Sequence, residues 1–140
     1  MAIAVHNLAE ERLSIAVHAI GMCKGILDGT VTYTKDRMIF GKPVSDFQNT
    51  RFKIAELYAQ TQALQVFVDR CVELAVEKNL DIETAAMAKM LAGELQWKIA
   101  DECLQFYGGA GYMMDYPIAH AFIDSRIRKI AGGSSEVMRE

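Results

Sequence analysis

The sequence predicts an all-α fold, an up-and-down four-helix bundle. Three observations carry this expectation. Apolar residues recur at three- and four-residue steps along long stretches; the breaks between stretches are short and marked by Gly, Pro or Asn; and the one β-branched run, Thr30 to Thr34, has no second run to pair with. Short connections between long amphipathic helices make them antiparallel neighbours. With 140 residues, 51% of them apolar, the chain holds enough core for about one domain, and residues 1–140 are read as a single helical bundle.

The first helix places Leu13, Ala16, Val17, Ile20, Lys24 and Leu27 on one stripe, with Asn7 as N-cap and Glu10 placed to answer it. Asp28-Gly29 resembles a stop, but with no partner for a strand at Thr30–Thr34 the helix is continued to about Asp36. Gly41 and Pro43 then end helical geometry, so 37–43 is a loop. Ser45 and Gln48 form a Ser-x-x-Gln capping box for a second helix, whose stripe runs Phe47, Ile54, Leu57, Tyr58, Thr61, Leu64, Phe67, Val68, Cys71, Val72, Ala75. Lys78-Asn79-Leu80 breaks it. Asp81 caps a third helix marked by Ala85, Ala88, Ala92, Leu95, Ile99, Cys103 and Phe106 and ended by Gly108-Gly109. A shorter helix follows from Pro117 to about Arg128, and after Gly132-Gly133 the hydroxyl of Ser134 is placed to cap one more.

Composition removes several function classes. Fifteen Lys+Arg against 18 Asp+Glu leave a net charge of −3, which gives no reason to expect nucleic acid. No apolar run approaches the roughly 20 residues of a membrane span, and the opening Met-Ala-Ile-Ala-Val-His has neither a secretory nor a transit pattern. Cys23, Cys71 and Cys103 are odd in number and far apart, which speaks against a disulfide framework or a zinc site, and they are read as small buried apolar residues. His6, His18 and His120 are scattered, and no Glu-x-x-His pair occurs, so a di-iron bundle and a metal site are not expected.

Several features are open to two readings on spacing alone. Gly108-Gly-Ala-Gly111 follows a helix and lacks the spacing of a dinucleotide loop, so it reads as a helix stop and turn. Gly132-Gly-Ser-Ser-Glu136 reads as an ordinary cap or as an anion-favouring helix start. Glu10 and Glu11 suit a solvated first turn, and Arg37 and Lys42 around Phe40 suit either a solvated loop or a phosphate and flat ring. The methionines are read as packing rather than a cofactor box.

Four stretches, taken in order, resemble the C-terminal helical domain of flavin-dependent acyl-CoA dehydrogenases. They are Glu10-Glu-Arg-Leu13; Asp36-Arg-Met-Ile-Phe-Gly-Lys-Pro43 with Gln48; Gln105-Phe-Tyr-Gly-Gly-Ala-Gly-Tyr112 with Asp115-Tyr-Pro117; and Asp124-Ser-Arg126 through Ile130-Ala-Gly-Gly-Ser-Ser-Glu136. The resemblance spans the chain but only the last third of the family's usual length, so the N-terminal helical and middle β-domains would belong to a longer enzyme or a second chain. It implies α,β-dehydrogenation of acyl-CoA thioesters: a carboxylate takes the α-proton while the β-hydrogen leaves as hydride to FAD. The family's usual base is the Glu of a Glu-Gly-Thr turn, which here reads Gly132-Gly133-Ser134.

Long-chain and isovaleryl-type members instead carry a Glu before an Arg-Leu pair on the first helix of this domain. By that resemblance Glu11 is the general base, Gly132 leaves room for it, and Glu10 turns away. Arg12, Gly132 and Gly133 are implied as substrate contacts. Arg37, Phe40 and Gln48 are implied as contacts to the FAD of a partner subunit, Gln105 and Gly109 as contacts near its adenosine end, and Ser134 and Glu136 as flavin-nucleotide contacts. Ser134 replaces the usual Thr, Glu136 adds a charge near phosphate, and Ile123 stands where many members have Arg.

The resemblance further implies a homodimer or homotetramer with exposed apolar faces on the second and third helices, an electron-transfer flavoprotein as acceptor, and a bacterial cytoplasm or mitochondrial matrix as location. It points to long or branched acyl chains in fatty-acid or amino-acid breakdown. Two competing readings are a stand-alone helical oligomerisation module without activity and a flavin-dependent oxidase or monooxygenase on the same bundle.

Overall fold

The computed structural model describes residues 2–140, with side chains from Leu8 onward. Four helices follow in order: α1 (Ala2–Asp36), α2 (Gln48–Val76), α3 (Ile82–Tyr107) and α4 (Pro117–Ile127). The all-α expectation holds, and α1, α2 and α3 pack on one another with α4 laid against α3.

Helix α1 takes in the β-branched run because Thr30 and Thr34 are fully buried and back-bonded. Thr30 Oγ1 donates to Ile26 O at 2.7 Å and Thr34 Oγ1 to Val31 O at 3.1 Å, so neither hydroxyl competes for a strand ladder. The helix is already running at Ala2, so Asn7 lies inside it and does not cap it; the Asn7 side chain is outside the described residues. Val17 and Lys24, placed on the apolar stripe by spacing, face outward, which narrows that stripe to Leu13, Ala16, Ala19, Ile20, Cys23, Ile26 and Leu27.

The expected loop after α1 holds a minimal hairpin. β1 (Met38–Ile39) pairs antiparallel with β2 (Lys42–Pro43), and the two turn residues Phe40 and Gly41 have φ of 49° and 80°. Two positive φ values make the tight hairpin turn that matches strand twist. The Ser45 capping box does not form: Val44–Asp46 is a 3-10 turn, α2 is preceded by Phe47, and no side chain caps it. Asp81 does cap α3, accepting the Thr84 N–H at 2.6 Å, and Gly108, with φ 57°, closes the other end. Pro117 opens α4 at its first turn. The final cap is reduced to one 3-10 turn, Val137–Arg139, with Ser134 Oγ accepting the Val137 N–H at 3.4 Å.

The core divides into two clusters along α1. At one end Leu13, Ala16 and Ile20 meet Val68, Cys71, Ala88 and Ala92; at the other Cys23, Ile26 and Leu27 meet Leu57, Ile99, Cys103 and Ile118. All three cysteines are buried and free. The second cluster passes into the tyrosines that border a cleft, and the first ends beside the Gly132–Gly133 bend.

Candidate functional site

The bend after α4 is built by backbone bonds and by two glycines. Ala131 N–H donates to Ile127 O at 2.8 Å and Ser135 N–H to Lys129 O at 3.1 Å, which ties 127–135 into a closed turn. Inside it Gly132 and Gly133 have φ of 69° and 106°, the left-handed region in which a Cβ is strained. Space is short as well. A Cβ on Gly132 would lie 2.5 Å from Ile15 Cδ1 and one on Gly133 would lie 2.5 Å from Met138 Cε. An Arg139 to Glu94 ion pair at 2.7 Å ties the following turn back to α3.

One buried cation stands under this bend, and a second bears on it. Lys89 on α3 has no exposed surface, and its ammonium donates to the Gly133 carbonyl. Its Cε lies 3.9 Å from where a Gly132 Cβ would be. Burial, and next the charge of Arg12, hold the Lys89 ammonium below the usual lysine range, with Glu136 pulling the other way. Arg12 on α1 is 9% exposed, and its Nε has no hydrogen-bond partner among the described residues. The Ser135 hydroxyl is likewise buried and unpaired among them. Glu136 is exposed at the rim, its carboxyl kept low by its own backbone N–H and the Ser134 hydroxyl.

Glu11 is exposed, one helical turn before Ile15, the residue that fills the space beside Gly132. Residues four apart share a helix face, so the face of α1 carrying Glu11 is the one that runs over the bend. Glu10 instead borders a small cleft with Ala75, Lys78 and Leu80, beside the turn between α2 and α3.

The second region is an open cleft of 560 Å³ between the end of α1, the start of α2 and the turn after α3. Arg37, Gln105 and Gly109 all border it. Its wall is aromatic: Tyr33 stacks on Tyr107 with ring centroids 3.8 Å apart, and Tyr116 meets both edge-on. Nothing lies within 4 Å of a Cβ built on Gly109. Phe40 and Gln48 are outside the lining. Phe40 stands 94% exposed at the hairpin tip and Gln48 is exposed at the first turn of α2, while Lys42 covers the Phe47 ring at 4.2 Å. An exposed guanidinium, an amide side chain, a Cβ-free glycine and flat rings in one cleft fit a nucleotide with its pyrophosphate.

Sequence reasoning passed over Lys89 and the three tyrosines. The signal for Lys89 was present: it is a charge inside the α3 stripe, four residues after Ala85 and three before Ala92. For the tyrosines, Tyr107 and Tyr116 fall within the stretches that carry the resemblance, but their meeting with Tyr33 depends on the tertiary fold. Among the described residues no group of three or more His, Cys, Asp or Glu is placed to hold a metal, and no helix is long and apolar enough to cross a membrane.

The profile of the acyl-CoA dehydrogenase C-terminal domain matches residues 1–140. The chain is 44% identical over 136 residues to the mitochondrial long-chain specific acyl-CoA dehydrogenase of Mus musculus, covering 97% of this chain and 32% of that protein. Against the mitochondrial short/branched chain specific enzyme of Rattus norvegicus it is 34% identical over 134 residues, covering 96% and 31%. The butyryl-CoA dehydrogenase structure from Megasphaera elsdenii superposes with a TM-score of 0.94 at 33% identity, covering 99% of this chain and 36% of that one. The chain therefore spans about a third of the length of the curated relatives it matches.

Proposed function

We propose that this chain, which belongs to the acyl-CoA dehydrogenase family through its C-terminal domain, is the base-bearing domain of an FAD-dependent acyl-CoA dehydrogenase acting on long or branched acyl chains. The observation that carries this reading is the meeting of α1 with the bend. The bend has no carboxylate, and its residue 132 is a glycine with a left-handed φ packed against Ile15, while the helix face that covers it presents Glu11 one turn from the contact.

Glu11 takes the α-proton, and its exposure in this chain is closed off by the other domains of the enzyme, which exclude water from the base. Gly132 and Gly133 border the thioester, and Arg12 lends a buried positive charge where enolate charge develops. Arg37, from the open cleft, and Phe40 and Gln48, from the exposed rim, reach a partner subunit's FAD, Gln105 and Gly109 lie near its adenosine end in the same cleft, and Ser134 and Glu136 border the flavin nucleotide at the bend. When bound, FAD supplies the hydride acceptor. The 44% identity with a long-chain enzyme supports the chain-length reading. Electron-transfer flavoprotein is the acceptor, and the exposed apolar residues Phe52, Val66 and Val76 on α2 support a homodimer or homotetramer.

The test joins this chain to N-terminal helical and middle β-domains, adds FAD and an acyl-CoA, and follows flavin bleaching. Bleaching is expected, with Glu11→Gln slowing it by about 10² to 10⁴-fold. Bleaching at the same rate in Glu11→Gln rejects the base. An unbleached but self-associating protein favours an oligomerisation module, and oxygen uptake with peroxide release favours an oxidase.

A further inference from the structure

A lysine without exposed surface, on the inner face of α3 among Ala85, Ala88 and Ala92, is not explained by stability. An ammonium taken from water loses solvation that one neutral carbonyl does not restore. The charge that weighs most on it is another cation, Arg12, and the acid that attracts it, Glu136, is exposed. A leucine or methionine would fill the same place in an alanine-rich stripe without that cost. What the ammonium does have is the Gly133 carbonyl, in the middle of a turn whose two glycines are both left-handed.

We propose that Lys89 is a positioning residue: its buried ammonium clamps the Gly133 carbonyl and holds the Gly132–Gly133 bend in register with the Glu11–Arg12 face of α1, at a net cost to the stability of the fold. A glycine pair gains no rigidity from side chains, so a backbone held at one carbonyl depends on what holds it. The clamp also polarises the Gly133–Ser134 peptide, which strengthens its N–H as a donor. The catalytic part of this inference rests on the dehydrogenase reading; the clamp itself does not.

The experiment compares Lys89→Met and Lys89→Gln with the parent in the assembled enzyme. Lys89→Met is expected to lower kcat by about tenfold to a hundredfold with KM within about twofold, because small misplacements at a reacting centre cost that much, while its unfolding temperature stays level or rises. Lys89→Gln keeps an N–H donor and recovers part of kcat. A lysine with only a structural role would show kcat and unfolding temperature falling together with Gln no better than Met, and that result overturns the proposal, as does an unchanged kcat. Amide hydrogen exchange at 133–135 is read in the same variants without acyl-CoA. Exchange at least about tenfold faster in Lys89→Met supports the clamp even if the parent never bleaches with acyl-CoA, in which case it is the dehydrogenase reading that fails; unchanged exchange removes the clamp whatever the activity.

Discussion

Gly133 shows how tightly single residues are specified at the bend. Its φ of 106° is open to glycine and little else, and a Cβ there would meet Met138 Cε at 2.5 Å. Gly133→Ala is expected to cost about 1–3 kcal/mol through backbone strain, read as a lower midpoint in thermal or urea unfolding. The buried thiols give a pH signature. Burial pushes Cys23 up to about 12 and Cys103 up to about 11 from 9.0. A raised thiol pKa means that above pH 9 the unfolded chain releases protons the folded chain keeps, so stability is full below pH 9 and is lost progressively toward pH 12. Lys89 acts with the opposite sign, its burial penalty easing as pH climbs toward 10.5, but it is one group against two large thiol shifts. Denaturation midpoints measured across this range are expected to fall, with a shallower slope in Cys103→Ala. The two glycines of Gly132-Gly133-Ser134 were legible in the sequence as a turn, and both take a left-handed φ; the roles proposed for Glu11 and Arg12 come from the motif they share with the family. Lys89 was legible only as an anomaly of pattern, since its purpose lies in a carbonyl 44 residues away.

At the scale of elements, the long periodic stripes identified α1, α2 and α3, and local chemistry identified some of their ends. Asp81 and Gly108 act as the sequence reads because their partners are three residues away or less. Asp81→Ala is expected to destabilise by about 1 kcal/mol, the usual cost of a lost N-cap, with circular dichroism melting as the check. Ser45 fails as a cap because the chain leaving the hairpin tightens into a local 3-10 turn held by the Phe47 N–H donating to Val44 O at 3.3 Å, which displaces the helix start to Gln48. The approach of α3 to the end of α4 was invisible to periodicity. Gly93 is where they meet, and an added Cβ would sit 2.9 Å from the Arg128 carbonyl oxygen, a backbone atom with little freedom to move. Gly93→Ala is therefore expected to cost about 1–3 kcal/mol by overpacking, seen as a lowered unfolding midpoint in guanidinium.

Across the whole molecule, the two core clusters place the bend at one end of α1 and the tyrosine-lined cleft at the other, so one 35-residue helix sets their separation. Fold class followed from pattern, but the gathering of Arg37, Gln105 and Gly109 into one cleft depends on α1 and α3 lying side by side and on the turn after α3, which spacing along the chain does not encode. The outward residues of α2 carry a prediction at this scale. Val66 is 71% exposed and Val76 79%, apolar surface that suits contact with a second copy. Val66→Asp is expected to reduce self-association in sedimentation velocity while leaving the helical circular dichroism signal intact.

In the proposed mechanism the carboxylate serving the glycine bend is Glu11 on α1. Exchange of the α-hydrogen of a bound acyl-CoA with solvent deuterium, followed by mass spectrometry in the FAD-loaded assembled enzyme, tests it most directly. Ready exchange is expected in the parent, with loss by about 10²-fold or more in Glu11→Gln and acyl-CoA binding retained. Exchange in Glu11→Gln at the parent's rate would contradict it.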